Sequence, residues 1–211
     1  MKKTLIAIPC MDMVSARFAQ SLATLKKEGE CTVSFLIGSL IYDSRNRLAA
    51  LAVDMDADYI LWLDSDMVFA PDTLERMMKV LDEHPEIDIL SGLYFRRAQP
   101  FTPVLFSKLE QTADDVLEWA DVHDMPDELF EVAGCGFGCV LMRTDCLLDI
   151  AAKEHGGKWF TPIANAGEDC AFCIRARREG YKIYCDPTIT LGHMAYAPVT
   201  KAFYQAMKEG Q

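Results

Sequence analysis

The order of apolar and polar positions along the first 93 residues switches repeatedly between a strand-like and a helix-like period. Thr4–Ile8 is a short β-favouring run that Pro9 is expected to stop. Ser15 stands where a helix cap belongs, ahead of Phe18, Leu22 and Leu25 at i, i+4 and i+7. Thr32–Ile37 reads as a second strand, and Ser44 precedes a helix carrying Leu48, Leu51, Ala52 and Met55 on one face. Asp58–Leu63 is a third strand. Pro71 suits the first turn of a helix that repeats the spacing with Leu74, Met77, Met78 and Leu81. Ile87–Leu90 is a fourth strand. Strands alternating with helices across short links predict an α/β fold, with a mainly parallel central sheet flanked by helices.

The pattern loosens after residue 93. From Arg96 to Glu131 prolines and acidic breaks leave no clean period, which predicts loops and short strands, a smaller mixed β region in the C-terminal half. Gly134-Cys135-Gly136-Phe137-Gly138 leads into the strand Cys139–Met142 and a helix over 146–153. A further helix starts near Glu168, and Tyr181–Cys185 returns as a strand. No composition shift marks a linker, and there is no repeat or low-complexity tract, so residues 1–211 are expected to form a single domain.

Composition narrows the function classes. With 51% apolar and 25% charged residues in 211, the chain can bury a real core. A formal net charge of −11 without a local basic patch argues against nucleic acid and anionic lipid as partners. Apolar runs such as Tyr59–Leu63 are far too short to cross a bilayer, and Met1-Lys2-Lys3 is not followed by the apolar stretch of a signal peptide. A cytoplasmic protein is expected. Eight cysteines include Cys135, Cys139, Cys170 and Cys173, whose spacing invites a zinc reading. Cys139 and Cys173 lie in apolar patterns, however, and the expectation is buried thiols.

Candidate chemistry begins at Asp64-Ser65-Asp66, directly behind a strand of five apolar residues. In an open α/β sheet, ligands bind beyond the carboxyl ends of strands. Two carboxylates at i and i+2 there offer hard oxygen ligands to a divalent cation. Read as Asp-x-Asp-x-Val, the segment resembles the first motif of haloacid-dehalogenase-type phosphatases, with Asp64 as nucleophile and Asp66 handling the proton. In that family the motif ends the first core strand, whereas here two strand–helix units precede it and no lysine with paired aspartates follows.

The segment also resembles the Asp-x-Asp motif of GT-A-fold glycosyltransferases, and the downstream sequence favours this reading. Gly167-Glu168-Asp169, Phe172 and Arg175 on the same stretch, Asp186-Pro187 and His193 are similar to the C-terminal signature of family-2-like GT-A enzymes. Ser44-Arg45-Asn46 and the glycine-rich segment 134–138 extend the resemblance over Leu5 to His193. It implies a Rossmann-like GT-A fold, a nucleotide-sugar-binding half over 1–93 and an acceptor-binding, catalytic half over 94–211.

The implied activity moves a sugar from a nucleotide-diphosphate sugar, a UDP-sugar by preference, to a hydroxyl of a saccharide or other acceptor, with inversion. Asp66 and His193 are the implied metal ligands, with Asp64 on the ribose or reaching the ion through water; a mixed oxygen–nitrogen set suits Mn2+ better than Mg2+. Asp169 matches the position of the catalytic base, with Glu168 as runner-up. Pro9, Cys10 and Met11 occupy the base-binding loop, Arg45 reaches base or phosphate, Ser65 lies within the motif, and Tyr196 belongs to a loop closing over the donor. Arg96-Arg97 reads as a solvated pair with an acceptor role open to it. A module that binds nucleotide sugars without turnover is the alternative of a different class.

Overall fold

The computed structural model of the protein describes residues 1–114, 116–153, 156–163, 165–196 and 200–209. In chain order the first half holds β1 (Lys3–Cys10), α1 (Ala16–Thr24), β2 (Glu30–Ile37), α2 (Ile41–Asp54), β3 (Tyr59–Leu63), β4 (Met67–Val68), α3 (Thr73–Glu83) and β5 (Ile89–Leu93). The second half holds β6 (Leu105–Gln111), β7 (Leu117–Asp121), β8 (Phe130–Val132), β9 (Gly134–Cys135) and β10 (Cys139–Arg143). It continues with α4 (Asp145–Lys153), α5 (Glu168–Arg178), β11 (Ile183–Thr190), β12 (Gly192–His193) and α6 (Lys201–Glu209).

Seven strands form the main sheet in the order β2-β1-β3-β10-β5-β11-β8. β2, β1, β3, β5 and β11 run in one direction, while β10 and β8 are antiparallel to their neighbours. The sheet is therefore mixed, and its parallel majority is the part the strand–helix alternation predicts. The short strands of the loosely patterned region build a separate three-stranded sheet, β7-β6-β9, which is antiparallel throughout.

Both faces of the sheet are covered, which is why β1 and β3 read as continuous apolar runs. Alternate residues of one strand point to opposite faces. Leu5, Ala7, Ile60 and Trp62 enter one core with residues of α2, α4 and α5, and Ile6, Ile8, Leu61 and Leu63 enter the other with residues of α1 and α3. Trp62 is fully buried and meets Phe137 and Phe160 edge-on at 5.9 and 4.9 Å. Cys139 packs against Met77 Sδ at 3.7 Å in one core, whereas Cys135 and Cys173 lie in the other. These thiols therefore do not converge on one ion; all eight cysteines are free.

Several boundaries differ from the sequence pattern for identifiable reasons. Ser15 caps α1 as expected, its Oγ accepting from Phe18 N at 3.1 Å. Pro9 does not end β1: β3 pairs with β1 only as far as Ala7, and a strand with one neighbour tolerates a residue without N–H. The helix expected after Ser44 starts at Ile41, where Leu40 provides no side-chain cap for a motif search to find. Pro71 precedes α3 by two residues, and β11 starts two residues after Tyr181. Among the described residues no helix is long and apolar enough to cross a membrane.

Candidate active site

The shared direction of β1, β3 and β5 brings Cys10, Asp64 and Tyr94 to one edge of the sheet. β10 runs the other way, so its leading glycine segment arrives at the same edge, where Asp64 N donates to Gly138 O at 3.1 Å. Beyond Asp66 the chain forms β4, which pairs with β12 so that His193 lies opposite Met67. Met194 N donates to Asp66 O at 2.9 Å. This small ladder places a histidine from the end of the fold beside the Asp-x-Asp turn.

Two adjoining cavities open at this edge. One, of about 330 Å³, is lined by Pro9, Cys10, Met11, Arg45, Asp64, Ser65, Asp66 and Glu168, together with Ser39, Ile41 and Ser44. The second, of about 420 Å³, shares Arg45, Asp64, Asp66 and Glu168 and adds Asp169, Cys170, His193, Tyr94 and Arg96–Arg97, with Phe137 in its wall. Every residue singled out from the sequence as a site candidate except Tyr196 lines at least one of the two. Tyr196 is 84% exposed and lines neither.

Arg45 lies at the junction of the cavities. Its side chain is 2% exposed, and its guanidinium carbon lies 5.5–5.9 Å from the rings of Trp62, Phe137 and Phe160. Nη2 donates to Asp64 Oδ1 at 2.8 Å, and Nε faces Glu168 Oε1 at 3.5 Å. The neighbouring Asn46 ties the 160–161 segment down, accepting from Phe160 N at 2.8 Å and donating to Thr161 Oγ1 at 3.2 Å. Ser44-Arg45-Asn46 thus links α2 both to the Asp-x-Asp turn and to the segment that packs on α5 through the Phe160–Phe172 stack at 4.6 Å.

His193 is fixed from two sides. Nδ1 is 2.8 Å from Phe95 O, and since a carbonyl only accepts, Nδ1 carries the hydrogen. The ring meets Tyr94 edge-on at 5.5 Å. In the neutral ring Nε2 then keeps its lone pair, 3.5 Å from Asp66 Oδ2. Arg97 Nη1 donates to the same oxygen at 2.8 Å, and Arg96 Nη2 donates to Asp121 Oδ1 at 2.7 Å. Both arginines keep solvent access, as a solvated pair should, and each is also engaged with a carboxylate.

The electrostatics follow from this crowding. Asp64, Asp66, Glu168 and Asp169 bring four carboxylates to cavities into which Arg45 and Arg97 bring cationic compensation. Burial, then the charges of Asp66 and Asp169, push Asp64 above the ordinary carboxylate range despite Arg45. Burial, then Glu168, raise Asp169, although Cys170 N donates to its Oδ1 at 2.7 Å. Asp66 moves the other way: burial opposes the shift, but His193 and Arg97 hold it low. The Asp66 carboxylate beside Nε2 favours the protonated ring, to which it would be bonded, and so raises His193.

A divalent cation fits this donor set. Asp66 offers a carboxylate, His193 offers a tautomer held ready by a backbone carbonyl, and the surrounding carboxylates leave a surplus of negative charge. No cluster of three metal-type side chains forms among the described residues, so a bound ion would complete its coordination with oxygens of a ligand.

The sequence profile of glycosyl transferase family 2 matches residues 42–147, half of the chain, from α2 through the start of α4. The protein belongs to glycosyl transferase family 2. Its fold is similar to that in the crystal structure of A197 from STIV, with a TM-score of 0.59 and 19% identity over 95% of this chain and 97% of that one. It is also similar to that of GalNAc-T7, solved with UDP, GalNAc and Mn2+, with a TM-score of 0.58 and 9% identity over 93% of this chain and 43% of that one. No curated protein matches the chain. The GT-A fold and a glycosyltransferase domain are established by these likenesses, and the phosphatase reading of Asp64-Ser65-Asp66 falls away. Arg45, Asp64, Asp66 and Arg97 lie inside the profile match, while Glu168, Asp169 and His193 lie beyond it.

Proposed function

We propose that this chain is a metal-dependent, inverting glycosyltransferase that moves a sugar, a hexose by preference, from a nucleotide-diphosphate sugar to a hydroxyl acceptor. The observation that carries the reading is the convergence of Asp64-Ser65-Asp66, His193 and Asp169 on adjoining cavities at one sheet edge. Residues 1–93 are assigned to the donor and residues 94–211 mainly to the acceptor and the chemistry, within a single domain. Pro9, Cys10, Met11 and Ser65 line the donor cavity, and a UDP-sugar is the favoured donor because the fold relative GalNAc-T7 was solved with UDP. Tyr196 keeps a donor-covering role only if its segment moves.

Asp66 and His193 would hold the cation, Mn2+ before Mg2+ given the imidazole, which when bound neutralises the charge growing on the diphosphate. Arg45 fixes Asp64 and Glu168. Asp169, raised by burial and by Glu168, is suited to take up a proton. It takes the proton of the acceptor hydroxyl as that oxygen bonds to the anomeric carbon and the bond to the departing phosphate oxygen breaks. Attack opposite the leaving group inverts the anomeric centre. Eight free thiols suit a reducing compartment, which supports a cytoplasmic location.

A thermal-shift screen of UDP-, GDP-, CMP- and dTDP-sugars with Mn2+ tests the reading. A cognate donor at 100 times its Kd stabilises by about 2.7 kcal/mol, or roughly 5–10 °C in Tm for a chain of this size. Transfer or donor hydrolysis by the same sugar then separates an enzyme from a module that only binds. No shift with any donor would contradict the reading.

A further inference from the structure

Two side chains of opposite character converge on one oxygen. Asp66 Oδ2 accepts from Arg97 Nη1 at 2.8 Å and faces His193 Nε2 at 3.5 Å. His193 is held in place by the β4–β12 ladder, by Phe95 O and by the edge of Tyr94. Arg97 is not. It lies between β5 and β6, its side chain is 56% exposed, and the bond to Asp66 is the only hydrogen bond it makes among the described residues. In its neutral form the histidine presents a lone pair to the space beside Oδ2, whereas the guanidinium always presents hydrogens and a positive charge. A divalent cation seated between Asp66 Oδ2 and His193 Nε2 would share that oxygen with Arg97 at close range and repel the guanidinium.

We propose that Arg97 is a resident counter-cation that competes with the divalent metal for Asp66 and so sets the affinity of the site for the metal alone. The proposal rests on the Asp66–His193 cation site described above. In the metal-free protein Arg97 neutralises Asp66 and keeps its carboxylate turned towards His193. When the ion arrives, Arg97 must give up Oδ2 and swing outward, which its exposure permits. The two neighbours of one oxygen therefore act in opposite senses: His193 supports the ion, and Arg97 opposes it.

The test is Mn2+ binding to the full chain without nucleotide, followed by calorimetry or by the loss of the free-ion paramagnetic resonance signal. Compared with the parent, Arg97→Gln is expected to bind Mn2+ about 3- to 10-fold tighter, the scale of one exposed ion pair together with the removed repulsion. His193→Ala is expected to bind at least about 10-fold more weakly. Because the Arg97–Asp66 pair is exposed, the gap between Arg97→Gln and parent should narrow as salt rises from low to high. A merely structural arginine would give the reverse sign, since its loss loosens the site. Unchanged or weaker Mn2+ binding by Arg97→Gln overturns the proposal. Parent-like Mn2+ affinity in Asp66→Ala overturns instead the cation site on which it rests.

Discussion

Arg45 Nη2 holds Asp64 Oδ1 at 2.8 Å from inside a cage of three aromatic rings, with 2% of its side chain exposed. A guanidinium so enclosed is tolerated because it is planar, weakly hydrated and faced by two carboxylates, Asp64 and Glu168. In return it keeps the first aspartate of the turn at a defined height above the end of β3. The pair is unequal: the enclosed guanidinium depends on its carboxylates, whereas Asp64 keeps 31% of its side chain exposed to the cavities.

Removing one partner should be costly. Arg45→Met preserves much of the volume and strands Asp64 and Glu168 beside the rings, so we expect a loss of about 3–5 kcal/mol. Adding Asp64→Asn should return part of it, since the stranded charge is then gone. Urea unfolding of the single and double variants measures both. A single variant within about 1 kcal/mol of the parent would show that the pair carries little of the fold.

Asp169 should trade stability for chemistry. Its folded-state pKa lies above the ordinary carboxylate value, so at neutral pH its charge costs the fold free energy; that cost is absent below the unfolded pKa and grows as pH rises through the folded one. Asp169→Asn removes the charge but keeps an oxygen for Cys170 N. We expect Tm at pH 7 to rise by about 1–3 °C, with the gain shrinking as pH falls towards 4. Transfer should drop by about 10²–10⁴, while donor affinity changes little. A parent-like rate would move the role of base to Glu168.

Much of this arrangement is legible along the chain and some is not. β3 reads directly as an apolar run because both its faces are buried, and Asp64-Ser65-Asp66 stands out because its partners are two residues apart. The direction of β10 does not read, since a buried antiparallel strand carries the same run as a parallel one. Nor does the bond from Arg97 to Asp66, 31 residues away, because an exposed arginine pair has no pattern that points to a partner. Tyr94 escaped for the same reason: it acts through ring packing against His193 and through the hydroxyl that accepts from Gly138 N at 3.0 Å. The nearest signal is the glycine-rich segment 134–138, in which Gly136 and Gly138 make room for that tyrosine while Gly134 lies against Leu109 and Cys173.

The glycine segment therefore makes its own prediction. A Cβ on Gly136 would collide with the Tyr94 hydroxyl and lie 2.6 Å from Val104 Cγ1, and Tyr94 is buried against His193. We expect Gly136→Ala to destabilise by about 1–3 kcal/mol. Tyr94→Phe in the same chain should relieve part of the clash, so the double variant should lose less than the sum of the singles. Strict additivity in thermal unfolding would mean that the two residues do not press on one another.

The central claim is that Asp66 joins a divalent cation to the nucleotide donor, and one measurement addresses it most directly. Calorimetric titration of the best donor's nucleoside diphosphate into the protein, with Mn2+ and after its removal by chelator, is compared between parent and Asp66→Ala. The account predicts binding by the parent that requires Mn2+, and a loss of at least about 10-fold in affinity in a folded Asp66→Ala chain. Equal, Mn2+-dependent affinity in the two proteins would contradict it.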